Sequence, residues 1–128
     1  MPVVGAVHRI KSGSPVIRLE TRSRANNQIN SIASHYFFAR RFPDLTEMFK
    51  KENSITKALK NMGVDDYLRK RTCITARLPD AYEARHLVIP KNQPILVAEA
   101  VNVDSNDRPL EFCIGRSAAN RRQFIVET

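Results

Sequence analysis

Residues 14–36, SPVIRLETRSRANNQINSIASHY, and residues 93–117, QPILVAEAVNVDSNDRPLEFCIGRS, read as two copies of one hairpin. In the first copy Ile17, Leu19, Thr21 and Ser23 alternate with Arg18, Glu20, Arg22 and Arg24, the period-two pattern of a half-buried strand. Asn26 and Asn27 tolerate positive φ and supply the turn. In the second copy Pro94 stands where Pro15 does and Glu99 where Glu20 does. After two extra turn residues, Glu111 falls on Asn30 and Arg116 on His35. Two such hairpins predict two related halves that share one antiparallel sheet. The second copy is preceded by a further strand and a helix, the first only by MPVVGAVHRIKSG, so the chain is expected to begin partway through its first repeat.

Between the copies the period changes. A short helix is expected after RRFPDL, running through Met48, and Ser54 is a candidate N-cap for a second one, in which Ile55, Ala58, Leu59 and Met62 recur at helical spacing. Gly63 stands where the C-terminal cap of that helix belongs. Residues 69–87, RKRTCITARLPDAYEARHL, then read as strand, turn and helix. Over 65–78, Leu68, Thr72, Ile74, Ala76 and Leu78 fall on one face and Tyr67, Arg69, Arg71, Cys73 and Arg77 on the other. Pro79 ends the strand, and Asp80 with Glu83 forms a capping box. QFIVE, 123–127, is expected as a short last strand. Strands grouped in hairpins with a few helices make an α+β fold.

A chain of 128 residues fits one domain, 1–128, around one core. Hydrophobic residues make up 42%, with no apolar run long enough to span a bilayer, and the first residues lack the features of a secretory signal. No membrane association and a cytoplasmic location are the resulting expectations. Cys73 and Cys113 are too few for a disulfide framework and are read as reduced, partly buried thiols. The net charge of +8, from 21 Lys and Arg against 13 Asp and Glu, favours an anionic partner without saying which. His35, Glu99, Glu111 and the two cysteines show no spacing that marks a triad, a metal site or a carboxylate pair, so no catalysis, metal or cofactor is expected.

With this order of elements, the chain resembles the UTRA domain, the effector-binding half of HutC-type regulators in the GntR transcription-factor family. The resemblance rests on GSPVIRLETR, SHYF, FPDL followed by SITKALKNMGV, RTCITARLPDAYEARHLVIP, QPILVAEAVNVDSNDRPLEF and RRQFIVE, and covers almost the whole chain. SHYF and the ITAR strand with its EARHLVIP helix are most similar to regulators of phosphonate metabolism. The resemblance implies a chorismate-lyase-like fold whose cleft binds a small effector, a homodimer, and an N-terminal winged helix-turn-helix that reads operator DNA. No recognition-helix pattern precedes the first hairpin here.

The resemblance also implies site residues. The serine that opens the second helix contacts phosphate in effector-bound relatives, which gives Ser54 either that role or that of an ordinary N-cap. His35 and Arg116, equivalent in the two repeats, either face each other across the cleft or lie on the surface. Sugar-phosphate sensors carry an Arg pair and a Glu at the places of Thr21, Ser23 and Ala33 here. That departure argues for a smaller phosphonate or phosphate ester, with Tyr67, Arg69 and Arg71 as replacement contacts and Glu111 as a further candidate. Two other readings are a basic nucleic-acid-binding strand and a lyase-like enzyme. The first has only Tyr67 as an aromatic for base stacking, and the second lacks positioned catalytic groups.

Overall fold

The computed structural model describes residues 15–127. The expected start of the chain within a first repeat concerns residues 1–14 and lies outside the described residues. Five strands, β1 (Val16–Ala25), β2 (Gln28–Phe38), β3 (Tyr67–Arg77), β4 (Ile95–Asp104) and β5 (Pro109–Ala118), form one antiparallel sheet in the order β1-β2-β5-β4-β3. Among the described residues three helices, α1 (Leu45–Glu52), α2 (Ile55–Asn61) and α3 (Ala81–Leu87), accompany the sheet in an α+β fold. None of the helices among the described residues is long and apolar enough to cross a membrane.

Both hairpins form, and β2 pairs with β5 to join them. Asn26 and Asn27 take φ of 53° and 63°, the left-handed pair that a two-residue turn requires. In the second turn Asp107 takes φ of 61°, and Asp104 adds hydrogen bonds. Its Oδ1 accepts from the N–H groups of Asn106 (2.9 Å) and Arg108 (3.0 Å), and its Oδ2 accepts from Arg41 Nη2 at 2.5 Å. The backbone N–H of Arg108, opposed by burial and aided by Arg41, holds the Asp104 carboxyl at about 2.

Strand alternation sends Phe37 and Leu19 to the face covered by α1 and α2, where they pack with Phe42, Leu45, Ala58, Leu59 and Leu110. Ile32 and Val97 point to the other face and pack against Leu87 of α3. The sheet is therefore covered on both sides, and β2 and β5 carry buried residues in both phases.

Local signals placed the helices well. The Ser54 side chain accepts from the N–H of Lys57, and Gly63 closes α2 at φ 89°. Asp80 and Glu83 form a complete capping box on α3. Helix α1 runs on to Glu52, past Met48, because Asn53 adopts φ 51° and its N–H caps the Phe49 carbonyl at 2.7 Å. Three expectations fail. QFIVE is not a strand: residues 123–127 have no ladder partner among the described residues, and Ile125 and Val126 are 72% and 85% exposed. Only Cys113 is buried, whereas Cys73 is exposed. The single face expected for Tyr67, Arg69 and Arg71 is broken by a bulge at Lys70, which puts Arg69 opposite Asn102 and Arg71 opposite Val101, in opposite phases of β4.

Helix α3 ends in strain. Val88 holds φ 56° and ψ 57° at the C-cap, where a β-branched side chain crowds its own backbone, and it is 74% exposed, so little packing compensates. Val88→Gly is expected to raise stability by about 1 kcal/mol. Urea denaturation checks this, and an unchanged or lower midpoint would count against the strain.

Candidate functional site

A cleft of about 670 Å³ opens between the first hairpin and the α1–α2 junction. Glu20, Thr21 and His35 line its sheet side, and Phe49, Asn53 and Ser54 its helical side. The two walls meet because Asn53 and Ser54 alone connect α1 to α2, which swings the start of α2 over β1 and β2. Arg22 and Arg24 stand at the same opening. Nothing in the local sequence marks them as cleft residues; the placement of α2 does.

His35 is the centre of the polar groups on this face. It pairs with Leu19 across β1 and with Cys113 across β5. Its Nε2 lies 3.0 Å from Thr21 Oγ1, and its Nδ1 hydrogen-bonds Glu111 Oε2. Glu111 Oε1 accepts from Asn102 Nδ2 at 2.8 Å, and Asn102 Oδ1 accepts from Arg69 Nε at 3.3 Å. A continuous chain of hydrogen bonds thus crosses all five strands, with its central carboxylate buried, its Thr21 end half-buried and its Arg69 end exposed. Burial opposes a charge on His35, but the hydrogen bonds to Cys113 and Glu111 outweigh it and push the imidazole up to about 9. A cationic ring at neutral pH therefore sits in the cleft wall, its Nε2–H donated to Thr21.

Arg116 is elsewhere. Alignment of the repeats by sequence matches it to His35, with the pair either facing each other across the cleft or lying on the surface. The ladders give a different match. Val16 pairs with Phe38 and Ile95 with Ala118, so superposing Val16 on Ile95 places Tyr36 on Arg116 and His35 on Gly115. That one-residue offset moves Arg116 to the opposite face of the sheet. There its Nη2 donates to Ser34 Oγ at 2.9 Å and lies 3.7 Å from Glu20 Oε2, while its Nε lies 3.7 Å from Glu83 Oε2. Ser34 donates to Glu20 at 2.7 Å, and Arg77 forks onto Glu83 at 2.6 and 2.8 Å. Burial alone would raise the Glu83 carboxyl, but Arg77 and the Asp80 N–H hold it below the usual range.

Of the remaining candidates, Ser54 lies in the cleft with its Oγ accepting from the Lys57 N–H at 3.3 Å. Ser23 lies on the Thr21 side of β1, further toward the turn. Tyr67 donates to or accepts from Thr56, a residue lining the cleft, at 3.0 Å, and Arg69 connects to the cleft through Asn102, Glu111 and His35. Arg71 faces away. Lys70, the middle of the basic run, is paired with Asp107 at 2.7 Å. The basic strand is thus split between two faces and partly neutralised, unlike a stacking platform for nucleic acid.

The folded protein holds His35 above its ordinary value of 6.5, so the His35 contribution to stability is complete below about 6.5 and is lost as pH rises through about 9. Thermal melts across that window are expected to fall in the native chain and to flatten in His35→Gln. Equal slopes in both proteins would count against the assignment.

Comparison with protein-family models matches the UTRA domain over residues 4–123. Among curated relatives, the HTH-type transcriptional regulator RB1450 of Rhizobium meliloti (strain 1021) is 34% identical over 119 residues, covering 93% of this chain and 49% of the relative. The probable transcriptional regulator PhnF of Escherichia coli (strain K12) is 28% identical over 92% of this chain and 49% of its own length. The chain therefore spans about half the length of these relatives. Among solved structures, PhnF from Mycobacterium smegmatis superposes with a TM-score of 0.84 at 25% identity, covering all of this chain and 56% of the other. The named relatives are described as regulators of transcription. The chain belongs to the UTRA domain family.

Proposed function

We propose that this domain senses a small metabolite carrying a phosphonate or phosphate group and thereby controls operator binding by a winged helix-turn-helix of the same regulator. The observation that carries the reading is His35, a buried-edge imidazole kept cationic by Glu111 and presented with Thr21 to a cleft that Arg22 and Arg24 border. An anion entering there would take the Nε2–H of His35 in place of Thr21, which frees the hydroxyl to donate a second bond. Ser54 offers a further hydroxyl from the opposite wall. The resemblance to regulators of phosphonate metabolism supports the same ligand class. Ser23 extends the polar strip of β1, and Glu111 acts by holding His35. Tyr67, Arg69, Arg71 and Arg116 are not part of the proposed contact set.

Calorimetric titration with methylphosphonate, inorganic phosphate, a sugar phosphate and a neutral sugar tests the reading. Saturable binding is expected for at least one phosphorus compound, weakened about 10–100-fold in His35→Ala, the loss of one charge-assisted hydrogen bond. Binding of the neutral sugar alone would overturn it.

Assembly as a homodimer is proposed with this function. Edge strand β3 is exposed along nearly its whole length, and Leu68, Ile74, Ile125 and Val126 add exposed apolar side chains. Light scattering over a dilution series is expected to give twice the chain mass of 14.6 kDa. A single-chain mass at every concentration would exclude the dimer.

A further inference from the structure

His35, Glu111 and Cys113 bring an imidazole nitrogen, a carboxylate oxygen and a thiol sulfur within 4.8 Å of one another on one face of the sheet. The cause is register. His35 lies directly opposite Cys113 in the β2–β5 ladder, and Glu111 is two residues along β5, on the same side. What stands behind these groups distinguishes them from an ordinary hydrogen-bonded trio. The Nε2 of His35 is engaged by Thr21 at 3.0 Å, which turns Nδ1 toward the cluster. The Oε1 of Glu111 is engaged by Asn102 at 2.8 Å, which turns Oε2 the same way. Metal ligands are oriented in this manner, by a partner on the far atom of the ligating group. Thiolate, imidazole and carboxylate together suit zinc and similar borderline-soft cations, whereas magnesium and calcium favour oxygen ligands.

We propose that His35 Nδ1, Glu111 Oε2 and Cys113 Sγ bind Zn²⁺ or a zinc-like divalent cation, with Thr21 and Asn102 as positioning residues. The cation replaces the proton between His35 and Glu111 and takes Cys113 as its thiolate, so both protons leave to solvent as it enters. Three protein ligands leave one tetrahedral position for water or an exogenous donor. His35 is the ligand that also lines the cleft, so the cation sits beside the cleft wall. The site stands independently of the anion reading, because metal binding is measured with the metal alone.

The test is titration of the chelator-stripped chain with Co²⁺ and then Zn²⁺. One equivalent of Co²⁺ is expected to produce a thiolate-to-cobalt charge-transfer band in the near ultraviolet, bleached by an equivalent of Zn²⁺. Cys113→Ser and His35→Gln, made separately so that one misfolded variant leaves the other usable, are each expected to lose it. Cys73→Ser, altered at the exposed thiol, is expected to keep it. Asn102→Ala retains all three ligands and is expected to bind Zn²⁺ about 10–100-fold more weakly. Absence of saturable cobalt binding, a band that survives Cys113→Ser, or a band lost in a folded Cys73→Ser overturns the site. Unchanged zinc affinity in Asn102→Ala overturns its positioning role.

Discussion

Pairing of β2 with β5 is the contact on which the molecule depends. Each hairpin alone is a two-stranded ribbon, with too little apolar surface to be stable in water. The seven-residue ladder from Ser31 to Phe37 against Ser117 to Glu111 joins the ribbons into one sheet that helices can cover on both sides. The long-range polar contacts run across the same ladder: His35 with Glu111, 76 residues away, and Arg116 with Ser34, 82 residues away. A slip of one residue would exchange the two faces and bury charges among Phe37, Leu19 and Leu110.

The two faces divide the ionisable groups by task. On the α3 side, Arg116 lies between the exposed Glu20 and the buried Glu83, and Arg77 forks onto Glu83 as a second cation. Among the described residues Arg116 Nε nonetheless has no hydrogen-bond partner, with Glu83 Oε2 3.7 Å away. Such arrangements contribute less to net stability than to the choice of one docking geometry, here that of α3 on the sheet. On the α1–α2 side the charge sits at the boundary with solvent, where an incoming group can reach it. Glu20 and Thr21, adjacent in β1, belong one to each set.

Features encoded within a few residues were legible from the sequence. The Asn26–Asn27 turn, the Ser54 cap, the Gly63 stop and the Asp80–Glu83 box each depend on neighbours no more than four positions away. Register was not legible in the same way. Aligning the hairpins by their composition placed His35 on Arg116, and only the hydrogen-bonded ladders reveal the offset that separates them. The bulge at Lys70 is equally silent, since RKRT alternates no differently on either side of it. QFIVE has the composition of a strand, but composition supplies no partner. Cys113 came to the site for the converse reason: its position depends on a distant strand, and no local spacing links it to His35.

The run Arg69-Lys70-Arg71 has a consequence beyond any ligand. Strand β3 is an edge, and edges with free N–H and C=O groups recruit strands from other molecules indiscriminately. The bulge interrupts the straight hydrogen-bonding template at Lys70, and the three cations project to both sides of the ribbon. A second β3 stacked parallel and in register would set its own basic run against the first and be repelled, whereas an antiparallel copy centred on Ile74 would hold the two runs at opposite ends. The edge is thus guarded against fibril-like parallel stacking at one end while remaining open along Thr72–Ala76, so that a second copy can add there only in the antiparallel sense.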